Sequence, residues 1–285
     1  MNKNVRLRFS GFNYSCNLIE STCKRTNPII VLGGAFQNRQ TWTKYLDSYT
    51  NLSSVILVDL PGVGRSDTLP RKYDLEFLVK SLYKVFCHLN LEKAEIVAAS
   101  YGTPVGILFS NNYPDLVSHL TLIGTMKEFS NQMREAAELS VELIMNNNME
   151  EYADVFLNTI MNCKEKGKIS RFDAIRRILY YTIMKLSKDD KIKYVENTKR
   201  LLEYKGDDFD FKCSSPVLVC TGEYDTFTKP EYCSEIATFF RNSTFVTIKN
   251  ADHLCNIEQF NYTNNLITSF MLNKSMQNIP GCNSN

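Results

Sequence analysis

The stretch from Ile96 to Gly106 constrains the fold more than any other, because it predicts a buried strand, a sharp turn at Ser100 and a helix. A serine on such a turn has strained backbone, and only small side chains fit two residues before and two residues after it. Ala98 and Gly102 meet this requirement, and Gly106 lies one turn beyond Gly102 on the same helix face. Ser100 is therefore a candidate nucleophile, although an ordinary strand, loop and helix would give the same pattern.

The rest of the chain predicts an α/β fold with a mostly parallel sheet of eight strands flanked by helices. Residues 5–20 fit an antiparallel hairpin at a sheet edge. Six apolar segments, most of them separated by helical patterns, predict parallel strands, and they span 28–32, 54–58, 94–99, 120–124, 216–220 and 244–248. The tail at 275–285 is expected to fray.

Between residues 128 and 205 the alternation of strand and helix stops. Four helical patterns follow without a strand, at 133–145, 152–161, 172–184 and 192–202. We predict a core domain of residues 1–127 and 206–285 that carries an inserted helical lid of residues 128–205. Part of the lid's apolar surface is expected to line a tunnel above Ser100. The apolar residues concerned are Leu139, Leu143, Ile144, Phe156, Ile160, Leu179, Tyr180 and Ile183.

Composition narrows the classes of partner. The chain has 285 residues, 44% of them hydrophobic, which is enough for one large domain with an insertion. A net charge of +2 without long runs of either sign argues against a nucleic-acid or anionic-membrane surface, so a small molecule is the expected partner. Nine scattered cysteines without CxxC pairs indicate reduced thiols and no metal site. Without an apolar leader or a membrane-length apolar run, we expect a cytoplasmic protein with no membrane insertion, and its oligomeric state stays open.

A serine nucleophile needs a base within hydrogen-bond reach, and histidine has the pKa suited to that task. The sequence offers three histidines. His88 falls near a helix end and His119 at a strand start, where a structural role is expected. His253 lies in the loop after the last predicted strand, so it is the candidate base.

The base in turn needs a carboxylate that orients its ring and stabilises its charged form. Asp225 follows the strand before the His253 loop and is the expected acid. Asp252 and Glu223 remain alternatives, with surface or loop-shaping roles favoured for both. The segment Thr228–Glu231 reads as a capping box that opens the next helix.

The charge that develops on a substrate oxygen needs two N–H donors. The Tyr101 N–H, at the start of the helix after Ser100, is one candidate. The Ala35 N–H is the second, because Gly33 and Gly34 let the loop after the 28–32 strand turn towards Ser100. Gly34 and Phe36 in this loop are candidate substrate contacts. Neither GxGxxG nor Gly-Lys-Ser/Thr is present, so we expect no nucleotide cofactor.

Several of these segments together resemble the α/β-hydrolase superfamily over residues 5–275. They are Gly33-Gly34-Ala35-Phe36, 59–66, Ala98 to Gly102, Gly222 to Asp225, and His253. The order Ser100, Asp225, His253, each after a parallel strand, is the order of that fold. Two departures are Gly33, where most members carry histidine, and Ala98, where most carry glycine. The resemblance implies an α/β-hydrolase fold and cofactor-free catalysis by Ser100, Asp225 and His253.

Within the superfamily the chain is similar, more weakly, to acyltransferases that join 3-hydroxyacyl units into rhamnolipid precursors. The shared features are Gly33, Ala98, Tyr101, the Thr228–Glu231 segment and the lid stretch from Asn131 to Asn158. This similarity implies transfer of an acyl group to a hydroxyl acceptor as an alternative to hydrolysis.

We therefore predict a serine hydrolase that cleaves a small-molecule or carrier-bound acyl ester or thioester with a medium or longer acyl chain, through an acyl-enzyme on Ser100. Acyl transfer is the first alternative, and a binding protein that keeps the three residues is the second. Dehalogenase and epoxide-hydrolase chemistry is disfavoured, because those variants of the fold place a carboxylate where Ser100 stands.

Overall fold

The computed structural model describes residues 2–205, 213–276 and 278–284. In these residues nine strands form one sheet in the order β1-β2-β4-β3-β5-β6-β7-β8-β9. The strands are β1 (Asn2–Phe9), β2 (Phe12–Ile19), β3 (Ile29–Leu32), β4 (Val55–Asp59), β5 (Ala94–Ala99), β6 (Val117–Ile123), β7 (Val217–Gly222), β8 (Ser243–Ile248) and β9 (Cys282–Ser284). The six strands from β4 to β8 in this order run parallel, as predicted, and β1 with β2 forms the predicted antiparallel hairpin at one edge.

The predicted number of eight strands was wrong, because the tail that was expected to fray adds β9. This strand pairs antiparallel with β8, and its first residue, Cys282, lies opposite Ile248. Met276, Ile279 and Cys282 pack against the core, so the tail has an apolar surface to bury that its polar composition concealed.

Helices cover both faces of the sheet. The α-helices of the described residues are α1 (Leu46–Thr50), α2 (Leu75–Leu89), α3 (Gly102–Asn112), α4 (Asn131–Met145), α5 (Met149–Ile160), α6 (Phe172–Met184), α7 (Lys188–Glu203), α8 (Pro230–Thr238), α9 (Cys255–Glu258) and α10 (Phe260–Met271). Short 3₁₀ helices lie at Arg39–Tyr45, Pro114–Leu116 and Cys163–Glu165. None of the helices in the described part of the chain combines the length and the apolar character needed to cross a bilayer.

Alternate residues of the central strands face opposite layers. Ile30 and Leu32 pack with α2, α3 and α8, whereas Ile29 and Val31 pack with α1 and α10. All four side chains of β3 are buried, which explains why this strand is a continuous apolar run rather than an alternating one. The parallel strands therefore end at one edge of a three-layer core, and loops at that edge can share a site.

The helices α4 to α7 lie between β6 and β7 and match the four predicted helical patterns. They bury a separate apolar cluster, whose largest fully buried side chain is Tyr152. The division into a core and a lid remains our proposal. Its boundary at residue 206 lies outside the described residues, as do the terminal residues Met1 and Asn285.

Candidate active site

Ser100 lies on a sharp turn between β5 and α3. Its φ of +44° falls in the left-handed region, which a residue with a side chain adopts rarely. A Cβ on Gly102 would lie 2.8 Å from the Leu32 carbonyl oxygen, and a Cβ on Gly106 would lie 3.1 Å from the Ala98 Cβ. The small residues around Ser100 are thus required by the close approach of the helix to the sheet.

The three predicted catalytic side chains lie together at the carboxyl edge of the sheet. Nε2 of His253 is 3.0 Å from Oγ of Ser100, and Nδ1 of His253 is 3.0 Å from Oδ2 of Asp225. Because the ionised Asp225 only accepts hydrogen bonds, Nδ1 carries the proton and Nε2 is free to accept the serine proton. This geometry lets His253 act as a base towards Ser100.

The electrostatic environment keeps Asp225 charged although it is fully buried. Burial by itself would raise its pKa, but the charge of His253 and hydrogen bonds from His253, Thr221 and Thr228 lower the pKa below its usual value. For His253 burial works to lower the pKa, yet the Asp225 charge and its hydrogen bond raise it above the usual value. The pair therefore stabilises a charged imidazole, as proton transfer from Ser100 requires.

The carboxylates that were alternatives to Asp225 do not contact the imidazole ring. One oxygen of Asp252 accepts the main-chain N–H of His253 at 2.8 Å, and the other accepts the N–H of Asn162. Burial raises the pKa of Asp252 to about 6. Glu223 accepts the N–H of Asn250 at 3.1 Å. Both acids shape the loops near His253, which agrees with the role favoured for them.

The other two histidines lie away from Ser100. His119, on β6, forms a 2.7 Å ion pair with the buried Glu95 and also contacts Asn273. His88 is in the last turn of α2. Among the residues that the structure describes, no group of three or more histidine, cysteine, aspartate or glutamate side chains could hold a metal ion.

The predicted capping box at Thr228 was wrong. The cap residue of α8 is Lys229, and no side chain caps this helix. The Thr228 hydroxyl instead donates to Oδ2 of Asp225 at 2.6 Å and lies 2.9 Å from Nδ1 of His253. Thr221, on β7, also donates to Oδ2 of Asp225. Neither contact was predicted from the sequence: Thr228, three residues before Glu231, also fits a helix cap, and Thr221 lies within a strand.

Gly124, which the sequence pattern placed only at a strand end, also shapes the site. A Cβ there would lie 3.0 Å from both Cε1 of His253 and Oγ1 of Thr228, and its φ is +64°. The absence of a side chain at Gly124 is thus what leaves room for His253 and Thr228 to meet.

The loop after β3 approaches Ser100 closely, as predicted. A Cβ on Gly34 would lie 3.0 Å from the Ser100 Cβ. The Gly34 N–H donates to the side-chain oxygen of Gln37 at 3.0 Å, so the buried Gln37, which was not predicted from the sequence, stabilises this turn. In the described part of the chain neither the Ala35 nor the Tyr101 N–H has a hydrogen-bond acceptor. Both donors therefore remain available to a ligand.

Phe36 connects the same loop to the inserted helices. Its φ is +59°, and its ring stacks on Tyr194 of α7 at 4.8 Å and meets the edge of Phe156 of α5 at 5.2 Å. The strained backbone of Phe36 is therefore held by aromatic contacts from two inserted helices.

A cavity of about 500 Å³ opens above Ser100 between the core and the inserted helices. Gly34, Ala35, Phe36, Tyr101 and His253 all line it. Inserted residues supply much of the apolar wall, among them Met133, Ala136, Ala137, Phe156, Ile160 and Leu201. Of the lid residues named from the sequence, Phe156 and Ile160 line the cavity. Leu143, Ile144 and Ile183 instead pack in the apolar cluster that α4 to α7 bury, and Leu139 is exposed.

Helix α7 is anchored to the core by polar side chains that line up on one face. Lys193 donates to the Gly64 carbonyl at 2.9 Å, and Asn197 donates to the Gly62 carbonyl at 2.9 Å. Arg200 is buried and donates to the Tyr101 hydroxyl at 3.0 Å. The spacing of 193, 197 and 200 places these side chains on one helix face, but lysine and arginine side chains usually point to solvent, so this anchor was not predicted from the sequence.

Comparisons with known proteins identify the family to which the fold belongs. A family model described as alpha/beta hydrolase fold matches residues 27–260. An epoxide hydrolase 3 from Xenopus tropicalis is 22% identical over 94% of this chain and 77% of its own length. An (E)-2-((N-methylformamido)methylene)succinate hydrolase from Acinetobacter baylyi is 21% identical over 81% of this chain and 84% of its own length.

Solved structures show the same fold. An alpha/beta hydrolase enzyme from a deep-sea metagenome library of the Medee basin superposes with a TM-score of 0.83 at 15% identity, over 97% of this chain and 100% of that one. An esterase from Thermogutta terrifontis superposes with a TM-score of 0.78 at 20% identity, over 94% of this chain and 98% of that one. The matches to named hydrolases support a hydrolase activity. With a family model that spans most of the chain and a site at the expected edge of the sheet, this protein belongs to the alpha/beta hydrolase fold family.

Proposed function

We propose that this hydrolase cleaves a carboxylic ester or thioester through an acyl-enzyme on Ser100. One observation carries the proposal: Oγ of Ser100, the His253 ring and Asp225 form a chain of two 3.0 Å contacts that opens into the cavity. A serine hydroxyl becomes a useful nucleophile near neutral pH when an adjacent base accepts its proton and a carboxylate orients that base.

In the first step His253 accepts the Ser100 proton while Oγ attacks the substrate carbonyl carbon. The N–H groups of Ala35 and Tyr101 would stabilise the developing oxyanion, each by about 3 kcal/mol of barrier. The protonated His253 then gives its proton to the departing alkoxide or thiolate. In the second step His253 activates a water molecule, which attacks the acyl carbon and restores Ser100.

A serine at the turn also distinguishes this mechanism from that of the epoxide hydrolase among the relatives. Epoxide opening in this fold uses a carboxylate nucleophile at the position that Ser100 occupies here. The carboxylates of Asp225 and Asp252 are both committed to contacts with His253 or with main-chain N–H groups. We therefore expect acyl substrates and no turnover of epoxides.

The residues 128–205 act, in this proposal, as a lid over the acyl group. Support comes from the cavity, which lies between the inserted helices and the core and has an apolar wall of α4 and α5 side chains. An apolar wall favours an acyl chain of medium or greater length over acetyl. The substrate would be a small molecule or an acyl group on a carrier, and no cofactor enters the reaction.

The test is turnover of acyl esters, acyl thioesters and an epoxide by wild type and by two serine variants. Ser100→Ala should reduce turnover at least about 1000-fold, because the nucleophile is lost. Ser110→Ala, on the next helix, is the matched control, since that hydroxyl donates only to the Ile107 carbonyl. Full turnover by folded Ser100→Ala would overturn the proposal.

Product analysis of the same reactions distinguishes the remaining alternatives. Free acid alone, unchanged by added 3-hydroxyacyl acceptors, is expected for a hydrolase. A new ester formed with the acceptor would establish an acyltransferase instead. Tight ligand binding without any turnover, unaltered in Ser100→Ala, would show a binding protein.

A further inference from the structure

Three atoms form a closed triangle behind the His253 ring. Oδ2 of Asp225, Nδ1 of His253 and Oγ1 of Thr228 are separated by 3.0 Å, 2.9 Å and 2.6 Å. All three side chains are buried, so no solvent competes for these contacts. The hydrogen bond between Asp225 and His253 is therefore joined by the hydroxyl of Thr228.

The number of protons in the triangle decides the direction of each hydrogen bond. Asp225 is ionised and can only accept, so the single Thr228 hydroxyl proton goes to Oδ2 of Asp225. The Nδ1 proton of His253 then faces two acceptors, Oδ2 of Asp225 and the lone pairs of Thr228 Oγ1. Whether the Nδ1–H points to Asp225 or to Thr228, every donor in the triangle has an acceptor.

From this geometry we infer that Thr228 is a positioning residue for His253, which it holds directly through its hydroxyl as well as through Asp225. The inference deepens the proposed function and rests on it, because it assumes that His253 activates Ser100. Its specific content is that Thr228 accepts from the Nδ1 proton while Asp225 receives the Thr228 hydroxyl proton, so Thr228 helps to keep Nε2 free only while the carboxylate is present.

The position of Thr228 is fixed independently of the imidazole. Its N–H donates to Oδ1 of Asp225 at 2.8 Å, and its carbonyl oxygen lies 3.5 Å from the sulfur of the buried Cys233. The hydroxyl also lies against Gly124, where a Cβ would be 3.0 Å away. Main-chain and packing contacts thus hold the Thr228 hydroxyl beside Nδ1.

Thr221 provides a matched comparison. Its hydroxyl donates to the same Asp225 oxygen, is equally buried, and has no contact with His253. A threonine that acts only by stabilising the carboxylate should behave like Thr221. A threonine that also accepts from Nδ1 should slow the reaction more than Thr221 when its hydroxyl is removed in protein that keeps Asp225.

The experiment measures the rate at which a fluorophosphonate probe labels Ser100, which needs no knowledge of the substrate. In labelling, the bond from Oγ to phosphorus forms, the bond from phosphorus to fluorine breaks, and the serine proton moves to Nε2 of His253. The rate is measured for Thr228→Val and Thr221→Val, in wild type and in Asp225→Ala, with thermal unfolding to confirm that each variant is folded.

In wild type, Thr228→Val should slow labelling by about tenfold, the rate equivalent of one hydrogen bond, and Thr221→Val by less than about threefold, because it leaves the contact with Nδ1 in place. In the Asp225→Ala background Thr228→Val should cause no further loss, because the hydroxyl proton then has no carboxylate to receive it and can be donated to Nδ1. Equal losses for the two variants in folded wild type, or a further tenfold loss for Thr228→Val in folded Asp225→Ala, overturn the inference.

Thr228→Ser gives a second measurement that avoids loss of the hydroxyl. It should retain labelling within about threefold of wild type, whereas Thr228→Val should lose about tenfold. Equal losses for the two variants overturn the inference. Failure of folded wild type to be labelled at Ser100 overturns the proposed function itself, and the inference with it, so the two failures are distinguishable.

Discussion

The hydrogen bonds of Arg200, which anchor α7 to the core, predict how much stability is lost when this side chain is replaced. Besides the Tyr101 hydroxyl, Arg200 donates to three main-chain carbonyls, those of Tyr73 at 2.6 Å, Leu69 at 2.7 Å and Pro70 at 3.2 Å. Arg200→Met keeps the apolar stem of the side chain but removes these donors. The change therefore isolates the hydrogen bonds from the packing.

Leaving a buried carbonyl without a donor costs about 1 to 3 kcal/mol. Two of these carbonyls belong to half-buried residues, so we take the lower end and expect a loss of about 3 kcal/mol. For a chain of this size each kcal/mol lowers the melting temperature by about 2 to 4 °C, which predicts a fall of about 6 to 12 °C for Arg200→Met.

Thermal unfolding measured by circular dichroism tests this value. Arg177→Met is the matched control, because Arg177 is exposed on α6 and the same substitution there should change the melting temperature by less than about 2 °C. A fall of less than about 2 °C for Arg200→Met would show that α7 is not anchored through this side chain.

Two further predictions concern the site, and one concerns Glu258, which is buried in α9 and accepts the main-chain N–H of Asp252. Activity requires neutral His253. Because the contact with Asp225 raises the pKa of His253, the acid limb of the pH profile of kcat/KM should lie above about pH 6.5. An acid limb below that value would contradict the effect of Asp225. Burial raises the pKa of Glu258 to about 8, so the folded state binds a proton more tightly than the unfolded state, and stability falls as pH rises from the ordinary glutamate range towards 8. The melting temperature of Glu258→Gln should fall less than that of wild type between about pH 5 and 9, and equal falls would refute the burial argument. Ala137→Phe, which fills the α4 wall of the cavity, should lower kcat/KM for long acyl esters more than for acetyl esters, and a uniform loss would exclude that wall as the acyl site.

The sequence predicted the parts of the fold that local pattern determines. The apolar run before Gly33 and the small residues around Ser100 require a buried strand and a close helix, and the structure has both. It also predicted the meeting of Ser100, Asp225 and His253, because loops that follow parallel strands share one edge of the sheet.

The features that the sequence did not predict depend on contacts between distant segments. Thr228 fits a helix cap and a hydrogen bond to His253 equally well, and only the tertiary structure decides between them. Arginine is usually exposed to solvent, and Arg200 is buried because it donates to main-chain carbonyls of residues far away in the chain. Strand β9 forms because β8 offers it an edge, which no local pattern in the tail encodes.

The most direct test of the proposed mechanism is mass spectrometry of the protein quenched during turnover of a slowly hydrolysed acyl ester. The mechanism predicts that one acyl group is attached to the peptide that contains Ser100, and that no adduct forms in folded Ser100→Ala. Hydrolysis without any acyl adduct on Ser100, or an adduct on another side chain that persists in Ser100→Ala, would contradict the assignment of Ser100 as the nucleophile.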